Sequence, residues 1–215
     1  MDYTTEEVCI TLQDVAHRFG HRPVFAPVCT QVQSGQVLAI TGPNGSGKST
    51  LLRIIAGLLP ATRGTVTITV GGRVQDAFQR RRFIGYVAPD LTLYRELTGA
   101  ENLLFFARLQ GVALSREALA ALLATVGLRG RGRDPVRTYS SGMRQRLKYA
   151  FALLHRPPVL LLDEPTANLD RDGRAMVEDL IARQRARPDG VVVLATNEPE
   201  EVAWGDIVVH LEGAR

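Results

Sequence analysis

Cysteine and histidine are both scarce in this sequence, and long apolar runs are missing. Its two cysteines, Cys9 and Cys29, have no metal-ligand spacing. That excludes a disulfide framework and a zinc ribbon, and the pair reads as reduced thiols of a cytosolic protein. His17, His21, His155 and His210 likewise show no ligand spacing. Apolar runs such as Val159 to Leu162 fall far short of the ~20 residues that span a bilayer. If the protein moves anything across a membrane, the pore belongs to another chain. The first residues include Asp2, Glu6 and Glu7 with no apolar run, so no signal peptide is expected. No charge sign dominates: 26 Lys and Arg stand against 22 Asp and Glu. The net charge of +4 suits nucleotide phosphates, an anionic membrane, nucleic acid or a plain solvated face, and so decides nothing. Repeats, low-complexity tracts and coiled-coil heptads are also lacking.

What is present is an ordinary globular composition, 45% hydrophobic in 215 residues, enough for one well-buried domain. Val8, Ile10 and Leu12 alternate with polar residues as in a half-exposed strand. Further strands are expected near Val28–Val32, at Val37–Ile40, over Thr65–Val70 and at Phe83–Val87. The middle then turns helical. Thr98 and Glu101 have capping-box spacing at the start of a helix reaching about Gln110, Ser115 can cap a second, and a third runs from about Gly142 to Leu154. Strand and helix alternate again through Val159–Leu162, Arg171–Arg185, Val191–Ala195 and Ile207–Leu211. Strands separated by helices imply an α/β fold with a mostly parallel sheet covered on both faces.

Between the apolar run at Val37–Ile40 and the helical spacing of Leu51, Leu52, Ile54 and Ile55 lies Gly42-Pro43-Asn44-Gly45-Ser46-Gly47-Lys48-Ser49-Thr50. This fits the phosphate-loop pattern G-x-x-x-x-G-K-[ST]. Glycines let the backbone curl so that successive N–H groups face an anion, and the following helix adds its positive end. Lys48 would reach the β- and γ-phosphates of ATP, and Ser49 would offer its hydroxyl to Mg²⁺. Leu160-Leu161-Leu162 leads into Asp163 and Glu164, two acids at the carboxyl end of a buried strand, where open α/β sheets bind ligands. Asp163 would hold Mg²⁺, and Glu164 could act as general base on the attacking water. Ser140 and Gly142 in Tyr139-Ser140-Ser141-Gly142-Met143 form either a second anion cradle or an ordinary capped helix start; spacing leaves both open.

Taken in order, these segments resemble the ABC ATPase family, over nearly the whole chain. Gly42–Thr50 looks like its Walker A loop, Leu160–Pro165 like Walker B, and Ala167–Asp170 like its D-loop, with Asp170 the aspartate. Tyr139–Arg146 looks like the signature, with Ser140 and Gly142 in matching positions, Ser141 between them and Met143 where glutamine often stands. Phe19 falls where the family stacks an aromatic on adenine. The resemblance implies a P-loop NTPase of RecA-like core, with an N-terminal antiparallel β region and a helical signature subdomain. Residues 1–215 would form one domain, with 1–88 and 157–215 as the core and 89–156 as the helical part. It also implies that two copies, or the chain and a paralogous ATPase, pair head to tail around two ATP molecules. Each ATP would sit between Gly42–Thr50 of one copy and Ser140–Gly142 of the other, driving a transmembrane permease subunit. The protein would be cytoplasmic, peripheral on the inner face of the cell membrane.

Two positions depart from the family pattern. The family's Q-loop glutamine falls on Pro89 or Asp90. Proline lacks a side-chain donor or acceptor, while Asp90 could still face Mg²⁺ or its water. The switch histidine falls on Asn197, which can hydrogen-bond a γ-phosphate but cannot carry a proton. Hydrolysis slower than the family norm yet real is expected, since Glu164 is retained; the alternative is a regulatory module that binds ATP with little turnover. The segment Leu91–Glu101 is the expected docking surface for the membrane subunit, and Arg80-Arg81-Arg82 is expected to be a solvated face. Arg129–Arg133 is expected to be a plain loop rather than a nucleic-acid segment. The size fits one minimal ATPase without an appended domain, and the Leu-Tyr-x-Glu-Leu-Thr stretch with Thr-Asn at the switch is similar to exporter ATPases such as the haem exporters of cytochrome c maturation.

Overall fold

The computed structural model describes residues 6–213, and expectations touching residues 1–5 and 214–215 lie outside that range. Period-two alternation makes the first elements. In β1 (Val8–Phe19) Val8, Ile10 and Leu12 are buried on one face. It pairs antiparallel with β2 (Arg22–Gln33), which extends well beyond the expected Val28–Val32 because the two strands close a continuous hairpin at Gly20–His21. Then β3 (Val37–Thr41) runs through the glycine-rich loop into α1 (Lys48–Ile55). Two further strands, β4 (Arg63–Val70) and β5 (Arg73–Gln75), complete a four-stranded antiparallel sheet in the order β2-β1-β4-β5.

A 3-10 turn at Gln79–Phe83 precedes β6 (Ile84–Val87). Here the expectation of a solvated arginine face needs correction. Arg80 is 7% exposed, and its guanidinium donates to Ile54 O (3.1 Å) and Val66 O (3.4 Å). A buried guanidinium survives because its donors reach one carbonyl in the last turn of α1 and one on β4.

Three helices follow: α2 (Gly99–Leu109), α3 (Arg116–Thr125) and α4 (Ser141–Ala152). The expected capping box is present, with Thr98 Oγ accepting from Glu101 N at 3.1 Å and Glu101 accepting from Thr98 N at 2.8 Å. Strand and helix then alternate through β7 (Val159–Asp163), α5 (Arg171–Arg185), β8 (Val191–Ala195), α6 (Pro199–Val202) and β9 (Ile207–His210).

The second sheet is wholly parallel, in the order β6-β7-β8-β3-β9. Its central strands are apolar throughout because both faces are covered. Leu38, Ile40, Val159, Leu161, Val191 and Val193 point into a core shared with α1 and the antiparallel sheet. Val37, Ala39, Leu160, Leu162, Val192 and Leu194 point to a second core with the helices. The carboxyl ends of β3, β6, β7 and β8 consequently come together at one edge. Among the described residues no helix is long and apolar enough to cross a membrane, and both cysteines are free.

Candidate nucleotide-binding site

The loop after β3 is shaped by glycines that other residues could not replace. Gly42 has φ 142° and Gly47 φ 98°. A Cβ on Gly42 would stand 2.3 Å from Leu211 O, and one on Gly47 2.6 Å from both Phe25 and Val24. Positive φ and close backbone approach together demand glycine. Pro43, Asn44 and Gly45 form the exposed tip, whereas Ser46 is buried with an unpartnered hydroxyl. Gly47 caps α1 without any side-chain bond, so the helix start presents backbone N–H groups to the loop interior. Lys48 is folded back, donating to Gly42 O (2.8 Å) and Pro43 O (3.1 Å). Burial lowers its pKa, an effect that Glu164 and Asp163 oppose.

Ser49 Oγ, on the first turn of α1, donates to Asp163 Oδ1 at 3.0 Å. Asp163 ends β7 at 2% exposure, and its Oδ2 is buried without a partner. Desolvation raises its pKa; the Ser49 bond opposes this and the charge of Glu164 adds to it. A hydroxyl beside a carboxylate with one free oxygen fits Mg²⁺, which takes one or two protein ligands and completes its shell with phosphates and water. The neighbouring Glu164 is exposed and holds φ 51°, an uncommon value outside glycine, with its N–H donating to Ala195 O at 2.9 Å. This turn lifts its carboxylate out of the sheet edge.

Asn197, just beyond β8, donates to Asn44 Oδ1 at the loop tip. The structure therefore gathers Gly42–Thr50, Asp163, Glu164 and Asn197 at one edge. Asp90 is held elsewhere: Arg53 binds it at 2.9 Å, which competes with any direct role at a metal. Pro89 offers only its carbonyl, which together with that of Ala88 accepts from Lys148 Nζ (2.6 and 3.1 Å). Phe19 is 60% exposed at the end of β1, in edge contact with His17 and free to stack on a planar ligand.

The other candidate residues stand at the start of α4. Ser140 is its N-cap, accepting from Met143 N at 3.1 Å, while Ser141 is exposed and Gly142 and Met143 are half-buried. The first turn carries no acidic residue. Asp170 caps α5 and also binds Arg146 at 2.8 Å, which ties the segment after β7 to α4. The Gly173 N–H, followed by Arg146, holds its carboxyl below the usual range. Sequence reasoning passed over four side chains around the site: Arg146, Lys148, Tyr149 and Tyr86. The buried Tyr86 hydroxyl faces Asp163, and burial followed by that carboxylate raises its pKa. Strand alternation of β6 and β7 could have placed it there.

A phosphate loop, an acid-tipped strand of the same parallel sheet and a second helix start on one α/β scaffold define a P-loop protein. The particular family follows from comparison: the family described as "ABC transporter" matches residues 25–167, and the chain belongs to it. An uncharacterized ABC transporter ATP-binding protein, YdbJ of Bacillus subtilis (strain 168), is 38% identical over 91% of this chain. The chain spans 63% of that relative's length. A cytochrome c biogenesis ATP-binding export protein, CcmA of Xanthomonas axonopodis pv. citri (strain 306), is 37% identical over 87% of this chain and 86% of its own length. Among solved structures, the dimeric post-hydrolysis state of the ATP-binding cassette MJ0796 bound to ADP and Pi superposes with TM-score 0.80 at 26% identity, covering 94% of each chain.

Proposed function

We propose that this chain binds and hydrolyses ATP as the nucleotide-binding subunit of an ABC transporter, working on a membrane subunit that is a separate chain. The observation that carries this is the bond between Ser49 and Asp163, which leaves Asp163 Oδ2 open beside the phosphate loop and Glu164. Phe19 stacks on the adenine, and the loop amides of Gly42–Thr50 cradle the phosphates. Lys48 exchanges two carbonyls for phosphate oxygens, a stronger, charge-assisted contact. Ser49 and Asp163 would hold Mg²⁺, which would supply neutralising charge to the phosphates. Glu164 orients the attacking water and takes its proton, while the Asn197 amide donates to the γ-phosphate without storing a proton.

The acid-free first turn of α4, capped by Ser140 and running to Gly142, lies outside this half-site and suits the γ-phosphate held by a second copy. Pairing of two copies is supported by the dimeric ADP- and Pi-bound cassette, and a head-to-tail order would set this turn against the other copy's nucleotide. Docking of the membrane subunit at Leu91–Glu101 is supported by a groove of about 420 Å³ lined by Leu91, Thr92, Leu93, Arg95, Arg144 and Lys148. Tyr94 within that segment and Phe105 just after it are exposed aromatics. Export in cytochrome c maturation, with haem as cargo, is the specific reading favoured by the near full-length match to a biogenesis export protein. Residues 89–156 would act as the helical part of one ATPase domain, and the chain would lie on the inner face of the cell membrane.

Phosphate release from purified protein tests the enzymatic reading. The expected result is Mg²⁺-dependent turnover that Glu164→Gln lowers about 10²- to 10³-fold while ATP binding persists. Wild-type protein that binds ATP with no release, alone or with its membrane chain, would instead assign it to the regulatory class.

A further inference from the structure

Outside the phosphate loop and its acids lies one buried carboxylate that the proposed chemistry does not use. Glu201, on α6, is 1% exposed. No cation pairs with it among the described residues. Its two oxygens are instead taken by two hydroxyls, Oε1 by Thr166 Oγ1 and Oε2 by Thr196 Oγ1. Both threonines are nearly inaccessible, at 9% and 1% exposure. An ionised carboxylate in an apolar setting is costly, and charge-assisted bonds from two donors are the arrangement that keeps it there.

The positions of the donors give this carboxylate its meaning. Thr166 stands two residues after Glu164, at the exit of β7. Thr196 directly precedes Asn197, at the exit of β8, and its Oγ1 also accepts from Glu198 N at 3.0 Å. On the far side, Tyr149 of α4 is fully buried and donates to Pro165 O at 2.6 Å. A continuous polar strut thus runs from α4 through Pro165 and Thr166 to Glu201, and on through Thr196 to Asn197.

We propose that Glu201 is a positioning residue for ATP hydrolysis, fixing the spacing between the turn that carries Glu164 and the turn that carries Asn197. The inference rests on the hydrolytic function proposed above. Glu201 touches neither nucleotide nor water; it acts through the two threonines. Asn197 cannot substitute for a proton-carrying side chain, so the geometry of its amide against the γ-phosphate matters more in this chain.

In the full chain, Glu201→Gln preserves shape while removing the charge to which both hydroxyls donate. KM and the ATP Kd should stay within about twofold while kcat falls about tenfold or more, because only the transition-state geometry is disturbed. Amide exchange at 166–170 and 196–198 should speed up together. Should that variant fail to fold, Thr166→Val and Thr196→Val replace it. Each should slow kcat, and the double variant should be no slower than the slower single one, since either change breaks the same strut. A role confined to stability would lower the melting temperature at unchanged kcat per folded molecule, and that result would overturn the proposal. So would additive threonine effects, or exchange that changes at one turn only. A wild type without turnover would sink the enzymatic function itself, and exchange at the two turns would still decide whether the strut couples them.

Discussion

Asp163 is a residue whose environment is built for something other than stability. Its carboxyl is pushed up chiefly by burial, more than the Ser49 bond pulls it down. A group with a higher pKa folded than unfolded stabilises fully below the unfolded value, and that contribution is lost as pH rises through the folded value. As pH rises, the protein is therefore destabilised by a buried carboxylate with one oxygen unmet. Asp163→Asn should raise its stability by about 1 kcal/mol at pH 7, or roughly 2–4 °C in Tm, while abolishing Mg²⁺-dependent turnover. The gain in Tm should shrink as pH is lowered, which thermal melts across pH would show. Lys48→Ala should weaken ATP binding tenfold or more, read by equilibrium titration, because it deletes a charge-assisted phosphate contact. The pattern around Gly42–Thr50 made Lys48 visible in the sequence, and the apolar run Leu160–Leu162 ending in two acids did the same for Asp163. Glu201 was not, since a single glutamate on a four-residue helix has no periodicity to mark it as buried.

At the scale of elements, legibility followed the strength of local chemistry. The capping box at Thr98 and Glu101 fixed the start of α2 to the residue, and Ser115 did the same for α3. Thr98→Ala should cost about 1 kcal/mol, lowering Tm by roughly 2–4 °C without changing ATP affinity. The continuous runs of β3, β7 and β8 were equally plain because burial on both faces leaves no polar position. The elements that escaped are short: β5 has three residues and α6 four, below the length at which a period can be counted. Arg80 misled for a different reason. Three successive arginines look solvated until a helix end nearby supplies carbonyls for one of them.

For the whole molecule, the arrangement of the two sheets and the helices was legible as a class, and the comparisons place the chain among ABC transporter proteins. What no single sequence shows is how distant segments are joined. Arg146 meets Asp170, and Lys148 occupies the carbonyls of Ala88 and Pro89, across long stretches of chain. If the site is completed in trans, Glu164→Gln with ATP should run as a dimer in size-exclusion chromatography. Adding Gly142→Glu should return it to monomer, because an acid at the start of α4 repels the γ-phosphate of the facing copy.

The backward fold of Lys48 onto Gly42 and Pro43 has a consequence for which anions the loop takes up. A loop with a loose ammonium would attract any small anion in solution. Here the ammonium already has two acceptors, so a newcomer must outcompete them, and a lone inorganic phosphate offers little beyond what it displaces. A triphosphate also reaches the α1 amides and Ser49, and so alone repays the exchange. Selectivity against the commonest anions is thereby set before any base is read.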